Sequence, residues 1–298
     1  YVDGVGLDSN NGYGIRIYGR RYIVDNILIH NTAGIGFYSE LGNDGINYDV
    51  PEDNKAGYIA NLDVLETGYE GFVFRGPSDI AMWNIIVGRG GKSGSIESLL
   101  FPGESVDGCV FDSTGTYYSS TCEITGLLHS YGFEKGWGVR IVGAQRFKAQ
   151  HLISESNDGG FWIDEYVRAQ IDIMDTHNIL FGNNPHLYSK SNQMVINNLE
   201  VHKSTNENGN TCVHLTGANP IIKALRIYGN GNPGHGLVLD NSYRAQIGIM
   251  IEGLRGLAAD GIPSSAIVTK NNPSDFNISG HAVYCDYGWY NVDGSTSS

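Results

Sequence analysis

The chain has 298 residues, 41 of them glycine and eight proline, with 19 basic against 32 acidic side chains for a net charge of −13 at pH 7. That balance excludes a nucleic-acid partner, whose phosphates need a basic footprint, and reads as a soluble chain. No uninterrupted apolar run reaches the roughly 20 residues of a membrane span, and Cys109, Cys122, Cys212 and Cys285 lack the CxxC spacing of zinc or redox sites, so they read as packed free thiols. The chain begins at Tyr1 with no signal-peptide pattern, which reads as a mature product or an excised piece of a longer chain.

In chain order, short strand patterns follow one another with glycine, asparagine and aspartate between them and no stretch of helical periodicity. One recurring line has the form x-x-Asn-aliphatic-x-aliphatic, with Asn, Gln, Gly or Ala at the anchor. It occurs at Asn26, Asn61, Asn84, Gly108, Gly126, Gln150, Gln170, Asn198, Ala224, Gln246 and Gly280. An upstream strand such as GFVFRG, GVRIVG, GFWIDE or CVHLTG accompanies each unit. Short strands at a period of about 20 to 28 residues predict the coils of a solenoid, about eleven of them. The most literal repeat is "YVRAQIDIM" at 166–174 against "SYRAQIGIM" at 242–250, and half of it returns in "RFKAQHLI" at 146–153.

Stacked coils turn equivalent positions into columns about 4.8 Å apart. Ile27, Leu62, Ile85, Cys109, Leu127, Ile171, Leu199, Leu225 and Ile247 are expected to form one inward column. A second runs Ile29, Val64, Val87, Phe111, Ile153, Ile173, Val201, Ile227 and Ile249. The anchor amides are expected to bond to their copies at a bend. An outward apolar column, Leu28, Ile86, Val110, Leu128 and Leu152 interrupted by Asp63, would exceed what a lone surface leaves bare and points to a partner chain. Two insertions, near 40–55 and 253–265, would leave the solenoid as loops. The first holds Asp44, Asp49, Glu52 and Asp53, whose oxygens suit calcium but whose spacing matches no EF-hand loop; no other cofactor is expected.

The chain resembles the right-handed parallel β-helices of the pectate-lyase-like superfamily over nearly its whole length. The expected fold is one all-β, single-stranded right-handed parallel β-helix spanning 1–298. Within that superfamily the irregular coils, the Gly/Asn/Tyr-rich strands and the opening "GRRYIVDNILIHNTAGIGFYSE" most resemble a bacteriophage tailspike or capsule-depolymerase domain. The resemblance implies a homotrimer at the virion surface, or a secreted bacterial protein, that binds and cleaves bacterial surface polysaccharide as a glycoside hydrolase. The rival expectations are a secreted lyase of uronic-acid polymers and a non-catalytic glycan-binding adhesin.

Function should lie on outward columns. On the upstream strands these read Arg140, Trp162, Tyr188 and His214, with Asp164, Thr216 and Asp240 two places on and Trp137 nearby, a stacking platform for sugar rings. Glu155, Asp158 and Asp164 are the carboxylates closest to it in sequence, and glycoside hydrolysis needs two carboxyls about 5 Å or 6.5–9.5 Å apart. For a lyase, Tyr188 or His214 beside Arg140 would be the base. Asp172, Asp175, Glu200 and Arg226, with His202 and Tyr228, form a second outward set, the alternating charge of a solvated sheet. "NPGHGLVLDN" resembles the Gly-His-Gly segment of polygalacturonases. The aspartates that this family pairs with it fall on Asn210, Thr211 and Pro185, so His235 is expected to be a turn residue.

Overall fold

The computed structural model describes residues 2–3, 12–18, 22–40, 55–75, 79–91, 98, 100, 103–113, 120–143, 145–179, 184–204, 207 and 209–292. The strands alternate between two sheets. Sheet A takes β1 (Val2–Asp3), β3 (Tyr22–Thr32), β5 (Lys55–Thr67), β7 (Asp79–Gly88), β9 (Ser120–Tyr131), β11 (Gln145–Glu155), β13 (Arg168–His177), β15 (Gln193–His202), β17 (Ile221–Tyr228), β19 (Gln246–Glu252) and β21 (Asn277–Val283). Sheet B takes β2 (Ile15–Tyr18), β4 (Phe37–Glu40), β6 (Phe72–Arg75), β8 (Cys109–Ser113), β10 (Trp137–Gly143), β12 (Gly159–Ile163), β14 (Leu187–Ser189), β16 (Val213–Leu215), β18 (Leu237–Asp240), β20 (Ser265–Lys270) and β22 (Tyr287–Asn291). Among the described residues each sheet has 11 strands in chain order, paired in parallel, which is a parallel β-helical solenoid.

The long sheet A strands bend in the middle, and the bend flips the alternation. In β11, Phe147 and Ala149 point inward before it, but Leu152 and Ser154 do so after it. Two residues occupy each bend, with some exposure except at the buried Ala60: Asp25-Asn26, Ala60-Asn61 and Trp83-Asn84 early, then Gln150-His151, Asp172-Ile173 and Asn197-Asn198. The anchor therefore falls at the bend for Asn26, Asn61, Asn84 and Asn198, but Gln170 lies two residues before it, and Gly108 precedes β8 of sheet B. The inward column after the bend is Ile27, Leu62, Ile85, Leu128, Leu152, Met174, Leu199, Leu225 and Ile249. Ile171 instead stacks before the bend between Ala149 and Ile196, and Ile173 is 39% exposed. Leu128, Leu152 and Val110 are wholly buried, so the expected outward apolar column does not form. The early coils expose a different set, Ile23 and Tyr58 before the bend and Trp83 at it.

Sheet B closes the core opposite. Cys109 and Phe111 belong here, with Phe37, Phe72, Val139, Phe161, Leu187, Val213 and Leu237 in successive coils of one inward column that includes Cys109. Phe37 and Phe72 stack at 5.1 Å. Cys109, Cys122 and Cys212 are buried free thiols, and burial pushes Cys212 up to about 12. A buried polar knot braces the turns: Lys203 Nζ donates to the carbonyls of Asn210 and Pro233 and lies 3.7 Å from Glu207, which also meets His186 Nε2 at 3.0 Å. The 253–265 insertion is a loop pinned by the Leu257–Pro263 bridge. The 41–54 portion of the first insertion, with Asp44, Asp49, Glu52 and Asp53, lies outside the described residues.

Asn26, Asn61 and Asn84 are left-handed, with φ of 56°, 49° and 52°, a region asparagine tolerates and β-branched residues avoid. Their amides run along the axis: Asn84 Nδ2 donates to Asn61 Oδ1 at 3.3 Å, and Asn61 Nδ2 to Asp25 Oδ1 at 3.0 Å. Asn61→Val is expected to lose about 1–3 kcal/mol from backbone strain, and Asn61→Gly, which keeps the conformation, clearly less. Urea midpoints compare the two; equal losses would place the cost in the amide ladder instead.

Candidate functional site

Sheet B presents its outward row in perfect register: Arg140 pairs with Trp162, Trp162 with Tyr188, and Tyr188 with His214. The row forms because β10, β12, β14 and β16 each bury the residue on either side of it, as Phe161 and Ile163 do around Trp162 and Leu187 and Ser189 around Tyr188. The rings touch one another. Trp162 and Tyr188 centroids are 4.7 Å apart, Tyr188 and His214 5.1 Å, and Trp137 meets Trp162 edge-on at 5.3 Å. Lys190, which the sequence reading passed over, lies 5.2 Å from the Trp162 ring centroid and 5.7 Å from that of Tyr188. Its signal is two places beyond the row, the position that Asp164 and Thr216 hold in the neighbouring coils. Trp162 Nε1 is a buried donor with no acceptor among the described residues, a group that ordinarily finds a partner.

Arg140 differs from the expectation of a sugar-facing cation. It is 6% exposed and held by Glu104 and by Asp107 Oδ2 at 3.4 Å, while Asp107 Oδ1 accepts the Trp137 backbone N–H at 2.8 Å. Burial raises Asp107 to about 7 against the opposing pull of Arg140. Arg140 thus anchors the platform, with its charge answered within the protein. His214 is kept neutral chiefly by burial, and its Nε2 meets Asp240 Oδ2 at 3.1 Å. Asp240 in turn is 3.6 Å from Lys270.

Asp158 and Asp164 lie at opposite ends of β12. Asp158 precedes β12 and Asp164 follows it, so about 20 Å of extended strand separates their Cα atoms, beyond the range for one glycosidic bond. Asp158 stays beside the platform, its turn bonded to Gly136 next to Trp137. Burial raises its proton affinity while Asn184 Nδ2 donates to it at 2.7 Å. Glu155 ends β11 on sheet A, in register with Tyr131 and His177, and its Oε2 is 3.4 Å from His129 Nε2. His177, not Asp175, occupies the position equivalent to Glu155.

Asp175 belongs to a second face of sheet A, in register with Glu200, which pairs with Arg226 at 2.7 Å; that bond holds Glu200 below the usual carboxylate range. His151 Nε2 lies 2.7 Å from Asp175, and His177, His202 and Tyr228 stack at 4.8 and 4.6 Å. These carboxylates each answer a neighbouring cation or imidazole, as on a solvated sheet. His235 is a buried turn residue facing Asp260 at 3.2 Å. Among the described residues no group of three or more His, Cys, Asp or Glu side chains is placed to hold a metal ion. No family model, curated protein or solved structure matches the chain.

The raised Asp107 sets a pH signature. A carboxyl whose folded pKa exceeds its unfolded value stabilises the fold fully below about pH 4, and that contribution is lost as pH rises towards about 7. The difference in Tm between the protein and Asp107→Asn should therefore shift against the parent from pH 4 to pH 7. A flat difference across that interval would mean that Asp107 is ionised in the fold throughout.

Proposed function

We propose that this protein binds a polysaccharide along the outward face of sheet B, in the manner of phage tailspike and capsule-depolymerase β-helices. The observation that carries this reading is the continuous row of Trp162, Tyr188 and His214, with Trp137 against it and Lys190 over it. Apolar sugar faces pack on such rings while flanking polar groups fix the hydroxyls. The exposed Ile23, Tyr58 and Trp83 on the early coils support a homotrimer at a virion or cell surface.

Cleavage of the bound glycan is a second reading, favoured by Asp158. Its raised proton affinity beside Trp137 suits a general acid of glycoside hydrolysis, whereas the strand that separates Asp164 from it and the contact of Glu155 with His129 favour binding alone.

A panel of purified capsular and O-antigen polysaccharides tests both. Trp162→Ala should weaken glycan binding by roughly 1–3 kcal/mol, the value of burying one large apolar side chain. If the protein cleaves, Asp158→Asn should lower product formation by about 100-fold or more and leave binding intact. Binding unchanged in Trp162→Ala would remove sheet B as the site, and cleavage unchanged in Asp158→Asn would remove the acid. A monomer mass by light scattering would remove the trimer.

A further inference from the structure

We propose that the outward face of sheet A before the bend, from β11 to β21, is a second site that binds an acidic polysaccharide. Two adjoining depressions of about 410 and 450 Å³ lie there, sharing Asn219 and Ile221, each within the size range of ligand pockets. They run along the solenoid axis. One column of their lining passes from Arg146 to Arg168 to Gln193, and the next from Lys148 through Gln170, Val195, Ile221 and Gln246 to Asn277. Arg244 flanks the second depression. This is where the repeated line of the sequence goes: in both Arg168-Ala169-Gln170 and Arg244-Ala245-Gln246 the alanine is buried and the other two side chains face the groove.

The charge arrangement departs from the rest of the surface. Several cations elsewhere stand against carboxylates, as Arg75 does with Asp112, Arg89 with Glu66, Arg226 with Glu200 and Lys270 with Asp240. Arg146 and Arg168 are direct register neighbours of like charge, an unfavourable juxtaposition. Among the described residues neither they, nor Lys148, nor Arg244 lies in an ion pair with a carboxylate. The carboxylates of this face sit at its margins: Glu123 in the coil before Lys148, Asp275 at the far end, and Asp172 at the bend, bonded to Asn197. In a chain of net charge −13, the groove gathers four cations against one lining carboxylate, Asp275.

Guanidinium and ammonium groups answer the carboxylates or sulfates of an acidic glycan. The amides of Gln170, Gln193 and Gln246 answer its hydroxyls, and the apolar floor of Val195 and Ile221 answers its ring faces. A single-stranded nucleic acid fits less well, because no exposed aromatic ring lines the groove for base stacking. This site is independent of the sheet B reading.

Affinity electrophoresis in polygalacturonate, alginate and hyaluronate, against dextran, tests it. The protein should bind at least one acidic polymer about tenfold more tightly than dextran, and the binding should weaken from about 50 to 200 mM salt, as counterion-linked binding does. The triple variant Arg146→Gln, Arg168→Gln, Arg244→Gln should lose about tenfold or more of that affinity. Its Tm should equal or exceed the parent's, since three exposed, unpaired cations are removed. The control Arg89→Gln with Arg255→Gln, outside the groove, should bind as the parent does. A polymer held on sheet B would stay bound in the triple variant, and that result overturns the proposal. So would no preference over dextran for any of the three polymers, tighter binding to oligothymidylate, or self-association that disappears in the triple variant.

Discussion

Every feature of this molecule depends on the parallel hydrogen bonding of one coil to the next at the spacing of neighbouring strands. Because each coil satisfies its backbone on its neighbours, a residue's surroundings are set by the same position one coil up and one coil down. A side chain in such a fold is a member of a column. The phenylalanines of sheet B, the asparagines of the early bends, the Trp162–Tyr188–His214 row and the Arg146–Arg168 pair are all consequences of that one constraint.

Columns also dictate electrostatics. Like charges in register repel at about 4.8 Å, and on sheet A the register neighbours Asp175 and Glu200 are each met by an imidazole or a guanidinium. The His151–Asp175 and Glu200–Arg226 contacts on sheet A follow that rule. Buried groups follow a stricter one: Arg140 is answered by Glu104 and Asp107, and Lys203 by Glu207 and two carbonyls. The platform ring Trp162 rests on the first of these buried groups, with the Arg140 guanidinium 5.3 Å from its centroid. Like charges in register with no counter-charge beside them, as Arg146 and Arg168 are, mark where an anionic ligand has a physical reason to sit.

Much of this was legible in the sequence. Glycine-rich, proline-poor composition and strand patterns at a fixed period were enough for the all-β solenoid, because no other architecture buries such short repeats without helices. The row from Arg140 to His214 was legible too, since the sheet B strands are short, unbent and alternate cleanly around one outward residue. The flanking Lys190 was one step from that reasoning.

What the sequence could not supply is the position of the bend within each sheet A strand. Asn26, Asn61 and Asn84 mark it with a left-handed residue, but the later coils turn at Gln150-His151, Asp172-Ile173 and Asn197-Asn198 without one, so the local signal is lost. A one-residue flip there sends Leu152 inside and Ile153 outwards. It also puts Glu155 opposite His177, and gives Arg146 and Arg168 a shared column although their Arg-Phe-Lys-Ala-Gln and Arg-Ala-Gln lines differ in length. Periodicity alone determined that the chain coils and which residues face outward on sheet B. Register, which only the packing of whole coils against one another fixes, decided which charges meet, which carboxylates stay apart and that Arg140 is an internal brace for the platform.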